Sequence, residues 1–316
     1  MTTENQELVS VVLPTYNRVS VVDRAIKSVF SQTYNNWELL IVDDGSTDGT
    51  QMFIENKYGD DQRIQFLNRP SNRAKGANAC RNIGIEHARG SYIAFLDSDD
   101  RWTKEHLTIK LNYLINNKAD AVFSGFYYQR NDRMIPRNIK EYRGCKEIGG
   151  YIYEKKEATS TPTIVCKRIP CLNIKFDEEL QKHQDRDFVI RFDQFYKIMS
   201  EPSLTVHVFT DSTNRISLSI NHESTNYFLK KHATKLSSDA LGNFYVSIAK
   251  ATILREGKSE DYYKYREQIF SLAKKTYWKN HMQILDIPLL GPSVFKMIYT
   301  IFQQTRKIYR QFKALI

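Results

Sequence analysis

Ser91-Tyr92-Ile93-Ala94-Phe95-Leu96 is a short apolar run that passes straight into Asp97-Ser98-Asp99-Asp100. An apolar run of this length reads as a buried strand, and its abrupt end places three carboxylates just beyond the last strand residue. Upstream, Val9-Ser10-Val11-Val12-Leu13 is a second such run, stopped by Pro14 and followed by Thr15-Tyr16-Asn17. Glu38-Leu39-Leu40-Ile41-Val42 is another and ends in Asp43-Asp44-Gly45-Ser46. Ile64 to Leu67 is a further short strand.

Helical patterns separate these strands. Val22, Ile26, Val29 and Phe30 form an amphipathic stripe, and Thr47 is placed to cap a helix running to about Tyr58. Ala77 to Ala88 contains good helix formers, with Gly90 as its expected C-cap. Beyond the acidic run, Thr103 to Asn117 reads as a helix and Ala119 to Tyr128 as a strand. Strands alternating with helices at this spacing indicate βαβ units and a mainly parallel sheet. In open α/β sheets ligands bind beyond the carboxyl ends of the strands. Polar signals follow three of these strands, which predicts one site along one sheet edge.

The rest of the chain is less regular. Asn131 to Lys156 is basic and aperiodic, as in a surface loop or small hairpin. Thr163 to Cys166 and Leu204 to Phe209 read as strands, and Asp185 to Met199 as a helix. After Asn221 the pattern changes to long helices. The chain has 316 residues, 41% hydrophobic and 26% charged, which suits a globular catalytic domain with an appendage. The net charge of +10 favours polyanionic partners. Cys80, Cys145, Cys166 and Cys171 contain no CxxC pair and read as ordinary thiols of a reducing compartment. With no leader pattern and no run of about eighteen apolar residues, the expected location is the cytoplasm, with peripheral attachment to the inner face of the cell membrane left open.

Four segments together resemble the inverting glycosyltransferases of the GT-A fold, family 2. They are Val11-Val12-Leu13-Pro14-Thr15-Tyr16-Asn17-Arg18, Ile41-Val42-Asp43-Asp44-Gly45-Ser46-Thr47-Asp48, Gly76-Ala77-Asn78-Ala79-Cys80-Arg81-Asn82-Ile83-Gly84 and Phe95-Leu96-Asp97-Ser98-Asp99-Asp100. The resemblance covers roughly residues 8 to 220. It implies a Rossmann-like mixed α/β sheet as a catalytic domain over residues 1–222, with a donor half over about 8–100 and an acceptor half over about 101–222. Residues 223–316 are then a helical C-terminal region.

The resemblance also implies roles. A nucleoside diphosphate sugar, most simply UDP-linked, is bound by Pro14, Thr15, Tyr16, Asn17, Asp44, Arg81, Asp97 and Ser98. Asp99 is the ligand for Mn²⁺ or Mg²⁺, a hard ion that takes oxygen ligands. The plain alternative for the acidic run is a cap on the following helix. Before Arg81 the sequence has Ala74-Lys75-Gly76 in place of the usual Asn-x-Gly, leaving base contacts there open. In His183-Gln184-Asp185-Arg186-Asp187 the family's Glu-Asp appears as Gln184-Asp185, and Asp185 keeps the role of catalytic base. Asp187 and Arg191, four apart, are expected to pair within a helix. Thr161, Thr163 and His183 are candidate acceptor contacts. Arg215 and His222 are candidates for closing over the diphosphate, with His222 able to complete the metal site.

In the last thirty residues, Val294, Ile298, Ile301, Ile308, Phe312 and Leu315 alternate with lysines and arginines at helical spacing. Such a basic amphipathic helix suits an anionic membrane surface, another subunit of a homo-oligomer, or docking on its own domain. The expected acceptor is a glycan or a lipid-linked oligosaccharide of surface polysaccharide biosynthesis. Two rivals share the fold: a polyprenyl-phosphate glycosyltransferase and a non-catalytic nucleotide-sugar-binding scaffold. Nucleic acid is not an expected partner, because no recognition helix or aromatic RNA-binding motif accompanies the charge. The first strand has no GxGxxG after it, which disfavours a dinucleotide-dependent dehydrogenase.

Overall fold

A computed structural model describes residues 7–130, 133–210, 220–256 and 259–272. The chain divides into two compact units, residues 1–231 and 232–316. The boundary expected at residues 222/223 falls at the start of helix α8 (His222–His232), whereas the two units part at the end of that helix.

The first unit is built on β1 (Val9–Thr15), β2 (Trp37–Asp43), β3 (Ile64–Asn68) and β4 (Tyr92–Phe95), interleaved with α1 (Val22–Phe30), α2 (Thr50–Tyr58) and α3 (Ala77–His87). Every residue of β1 and β2 is buried, as a sheet covered on both faces requires. On one face Val9, Val11 and Leu13 of β1 and Leu39 and Ile41 of β2 meet the α1 stripe of Val22, Ala25, Ile26 and Val29. Fully burying a large aliphatic side chain there contributes about 1.5–3 kcal/mol. On the other face Val42 meets Cys80 and Ile83 of α3.

Two helix ends differ from the sequence reading. Asp48, not Thr47, takes the backbone N–H of Thr50 at the start of α2. The last turn of α3 is closed by an extended Ala88, two residues before Gly90. Pro14 does not stop β1, which continues to Thr15 in register with Asp43. Leu96 N donates to Val12 O on the β4 side, so alternation points the position of Pro14's missing N–H the same way, beyond the last β1–β4 pair at Val12 and Phe95. No ladder rung is lost.

Beyond β5 (Arg101–Trp102) and α4 (His106–Asn116), the expected single strand over 119–128 is two strands. β6 (Ala121–Ser124) and β7 (Phe126–Arg130) part at Gly125, where a Cβ would lie 2.3 Å from the Arg137 carbonyl oxygen. β7 turns back as β8 (Arg133–Arg137), so the basic stretch forms a hairpin, followed by α5 (Ile148–Tyr153). Then come a 3₁₀ turn (Thr161–Thr163), β9 (Val165–Lys167), α6 (Arg168–Ile174) and α7 (Gln184–Phe195). The helix expected to run to Met199 stops at Phe195, and β10 (Ile198–Glu201) and β11 (Val206–Phe209) follow.

The main sheet has seven strands in the order β10-β6-β9-β4-β1-β2-β3. β9 alone runs antiparallel to its neighbours β4 and β6, which makes the sheet mixed. A second sheet has the order β5-β11-β7-β8. In the other unit, α9 (Ser238–Glu256) and α10 (Glu260–Leu272) pack together, with the rings of Tyr245 and Tyr265 6.4 Å apart. Among the described residues, no helix is long and apolar enough to cross a membrane. Arg215 and the basic amphipathic segment from Val294 to Leu315 lie outside the described residues.

Candidate active site

The ends of β1 and β2 converge through hydrogen bonds between their loops. Asp44 N donates to Thr15 O at 2.9 Å, and Thr47 N donates to Asn17 Oδ1 at 2.8 Å. Asn17 adopts a left-handed φ of 52°, which asparagine tolerates, and its amide oxygen holds the β1 loop against the β2 loop. Tyr16, between them, is 52% exposed, so its ring face is open to a ligand. Asp43 is buried and accepts from Gly45 N and Ser46 N, a turn-forming use of its carboxylate.

Asp44 is employed differently. It forms an ion pair with Arg69, which lies just past β3, and accepts from Gly76 N at 2.9 Å. Gly76 holds φ at 121°, a conformation that side chains rarely adopt, and so brings its N–H to Asp44 at the foot of α3. Arg69 carried no motif signal in the sequence. Beside this pair, burial pushes the Cys80 thiol up to about 12, with the Asp44 charge adding to the effect, so Cys80 is an inert core residue.

Arg81, one turn into α3, reaches across to β4. Its guanidinium donates to Asn78 Oδ1 at 3.1 Å and to Asp97 Oδ1 at 2.6 Å. Arg81 thus stands beside the acidic run. The acidic run is not a helix cap, because β5 separates it from α4, whose first turn has no side-chain cap. Asp100 is buried and accepts from Phe209 N at 3.0 Å, which fastens the acidic loop to the end of β11. Ser98 is buried, whereas Asp97 and Asp99 are half-buried. Arg24 of α1 donates to the Asp99 carbonyl oxygen and lies over the Phe209 ring at 3.4 Å.

Two buried polar atoms in this cluster, Thr15 Oγ1 and Arg81 Nε, lack a protein partner. Buried polar groups are nearly always hydrogen-bonded, so these two atoms have bonding capacity to spare.

Phe176 connects the acidic end of β4 to α7. Its ring stacks on Phe188 at 4.5 Å, meets Phe95 edge-on at 5.1 Å and lies 5.3 Å from the Arg81 guanidinium. Phe188 lies three residues after Asp185, which sits one residue inside α7. The N-cap position belongs to His183, at a φ of 65°, so Asp185 is not the cap. Thr159 Oγ1 donates to Asp185 Oδ2 at 2.8 Å. Thr161 and Thr163 are buried in the 3₁₀ turn, and Thr163 donates to Ser160 O at 2.7 Å. The threonine in contact with Asp185 is Thr159.

His183 Nε2 lies 3.1 Å from Thr225 Oγ1, and its ring is 5.3 Å from Phe228 of α8. Burial, then the charges of Arg186 and Lys182, hold its pKa down to about 3, which favours the neutral imidazole. Asp187 pairs with Arg191 as the spacing predicts, at 2.6 Å, and also with Lys231 of α8 at 2.7 Å. His222 opens α8. Among the described residues, no three His, Cys, Asp or Glu side chains gather as a metal cage.

A mixed α/β sheet that presents acidic side chains beyond parallel strand ends, next to a partly exposed aromatic ring, is the architecture of the GT-A class. The chain belongs to glycosyl transferase family 2, whose model matches residues 10–177, more than half of its length. It is 35% identical over 132 residues to the Escherichia coli UDP-Glc:alpha-D-GlcNAc-diphosphoundecaprenol beta-1,3-glucosyltransferase WfgD, covering 42% of this chain and 51% of that protein. The chain spans about half the length of the curated relatives it matches. Among solved structures, it resembles S. aureus TarS 1-349 in complex with UDP-GlcNAc, with a TM-score of 0.58 and 18% identity over 90% of this chain and 77% of that one. It also resembles the mannosyltransferase PcManGT from Pyrobaculum calidifontis in complex with GDP-Man and Mn²⁺, with a TM-score of 0.52 and 13% identity over 97% of this chain and 88% of that one. At these identities the likeness is one of fold.

Proposed function

We propose that the protein is an inverting glycosyltransferase that moves a sugar from a nucleoside diphosphate donor, a UDP-sugar, to a hydroxyl of a glycan or lipid-linked acceptor in surface polysaccharide assembly. The observation that carries this reading is the joining of Arg81 to Asp97 at the end of β4, with α7 clamped alongside through Phe176. Asp44, kept in place by Arg69 and Gly76, offers its carboxylate edge to the base, and Tyr16 offers a stacking face. On this reading Asp97 and Ser98 contact the nucleoside. Thr15 Oγ1 and Arg81 Nε supply unused polar capacity.

The chemistry of the donor set fits a hard divalent ion held mainly by diphosphate and water. Such ions need only one or two protein carboxylates, and half-buried Asp99 provides one. When bound, Mn²⁺ or Mg²⁺ offsets the charge that gathers on the departing diphosphate. Asp185, oriented by Thr159, accepts the proton of the attacking acceptor hydroxyl. The name of the relative WfgD, a glucosyltransferase acting on a diphosphoundecaprenol-linked sugar, supports a lipid-linked acceptor.

A panel of sugar nucleotides assayed for Mn²⁺-dependent hydrolysis tests the reading, with Asp99→Ala as control. One donor is expected to be cleaved by the wild type and spared by the variant. If every donor stays intact, or Asp99→Ala performs equally, the reading fails.

A further inference from the structure

The β7–β8 hairpin has no role in the chemistry above, yet one of its strands lies open to solvent. All five residues of β8 are exposed. In the antiparallel register Tyr128 faces Ile135 and Arg130 faces Arg133. Side chains two apart on a strand share a face, so Tyr128, Arg130, Arg133 and Ile135 form one continuous surface. Ile135 is 54% exposed and Tyr128 38% exposed. Residues 130–137 carry three arginines against one aspartate, Asp132. Arg137 is engaged by the Lys156 carbonyl oxygen at 2.8 Å. Among the described residues, no carboxylate pairs with Arg130 or Arg133.

The position of this face gives it a purpose. β7 runs parallel to β11, so the ends of both strands lie at the same edge, and Phe209 at the end of β11 is bonded to Asp100 of the acidic loop. The last residues of β7 therefore lie at the edge that carries the acidic run, with Gln129 beside Phe209. A second copy of the chain adding a strand here is disfavoured, because Pro136 and the flanking arginines make β8 a poor template for pairing.

We propose that this face holds the lipid diphosphate of the acceptor, with Arg130 and Arg133 on the diphosphate and Tyr128 and Ile135 against the first units of the hydrocarbon chain. The proposal rests on the lipid-linked acceptor reading above. Two cations beside two exposed apolar side chains match a diphosphate joined to an isoprenoid, and this placement sets the attached sugar at the edge that carries the acidic run. Arginine suits the anion because its planar fork binds phosphate oxygens in pairs.

Farnesyl diphosphate is a soluble probe that carries both features. Its binding is to be measured by calorimetry with the donor pocket saturated by UDP and Mn²⁺. The double variant Arg130→Glu/Arg133→Glu is expected to weaken binding by at least about tenfold, as loss of charge-assisted hydrogen bonds predicts. Ile135→Ser is expected to weaken it by a smaller factor and to leave inorganic diphosphate binding unchanged. Both variants should bind UDP like the wild type, which also reports that they are folded. Asp44→Ala should do the reverse, losing UDP and keeping the probe. A failed donor reading would thus appear as wild type that does not bind UDP, whatever the hairpin does. Unchanged probe affinity in the charge-reversed variant overturns the proposal. So does a variant that loses sedimentation with phosphatidylglycerol vesicles while still binding the probe, since the face would then read membrane charge in general.

Discussion

Arg81 on α3 donates to Asp97 Oδ1 at 2.6 Å, joining residues sixteen apart that sit on opposite sides of a strand end. The guanidinium side chain is 4% exposed and the carboxylate 29%, so the pair has a dry half and a wet half. Asp97 is thereby held in one orientation while its other oxygen stays open to a ligand.

Removing this constraint should be costly. Arg81→Ala is expected to lower kcat/KM for the donor by about 10- to 100-fold, the scale of a charge-assisted hydrogen bond. Arg81→Lys should fall between, since an ammonium keeps the charge but cannot fork to Asn78 and Asp97 together. Steady-state kinetics at varied donor concentration decides it, and wild-type values for Arg81→Ala would remove Arg81 from the donor site.

Asp185 and Thr159 should separate the acceptor half from the donor half. Asp185→Asn is expected to reduce transfer by about 10²- to 10⁴-fold, the usual contribution of a general base. Thr159→Val, which deletes only the hydroxyl that donates to Asp185, should cost about tenfold or less by removing one neutral hydrogen bond. Neither should alter UDP affinity. A fall in UDP binding for either variant would place these residues on the donor side instead.

His183 predicts a pH effect on stability. Its folded pKa is held down to about 3, against about 6.5 when unfolded. Between those values the unfolded chain binds the extra proton, so protonation favours unfolding. The contribution of His183 is intact above about pH 6.5 and is lost as pH falls toward about 3. His183→Asn keeps a residue that tolerates the left-handed φ of 65° and has nothing to titrate. Urea melts from about pH 7 down to about pH 4 should show a shallower loss of stability in the variant than in wild type. Parallel curves would contradict this.

Lys110 and Glu201 form a fully enclosed pair at 3.0 Å, their side chains 0% and 3% exposed. Burial lowers the Lys110 pKa to about 8, even though Glu201 opposes the shift. Removing one partner leaves a buried charge alone, so Glu201→Leu should destabilise the protein by about 3–5 kcal/mol. The double variant Lys110→Met/Glu201→Leu should recover most of that loss, because two apolar groups of similar volume need no solvation. Chemical denaturation of the three variants tests it, and a double variant no better than Glu201→Leu would show that shape, not charge, is responsible.

The sequence by itself determined the elements whose information is local. The α1 stripe, the strands preceding Thr15, Asp44 and Asp97, and the Asp187–Arg191 pair were all legible, because side-chain spacing along one helix or strand has a fixed period. For the same reason, acids just past strand ends could be assigned to one sheet edge. Tertiary structure alone decided which partners met there. Arg69 reaches Asp44 across twenty-five residues and Thr159 reaches Asp185 across twenty-six, and no period in the chain encodes either distance. The antiparallel β9 and the break at Gly125 were hidden for a related reason. The first depends on which strands flank a slot in the sheet, and the second on how closely the Arg137 carbonyl approaches. Local periodicity sets where a side chain points, but only the packing of distant segments sets what it points at.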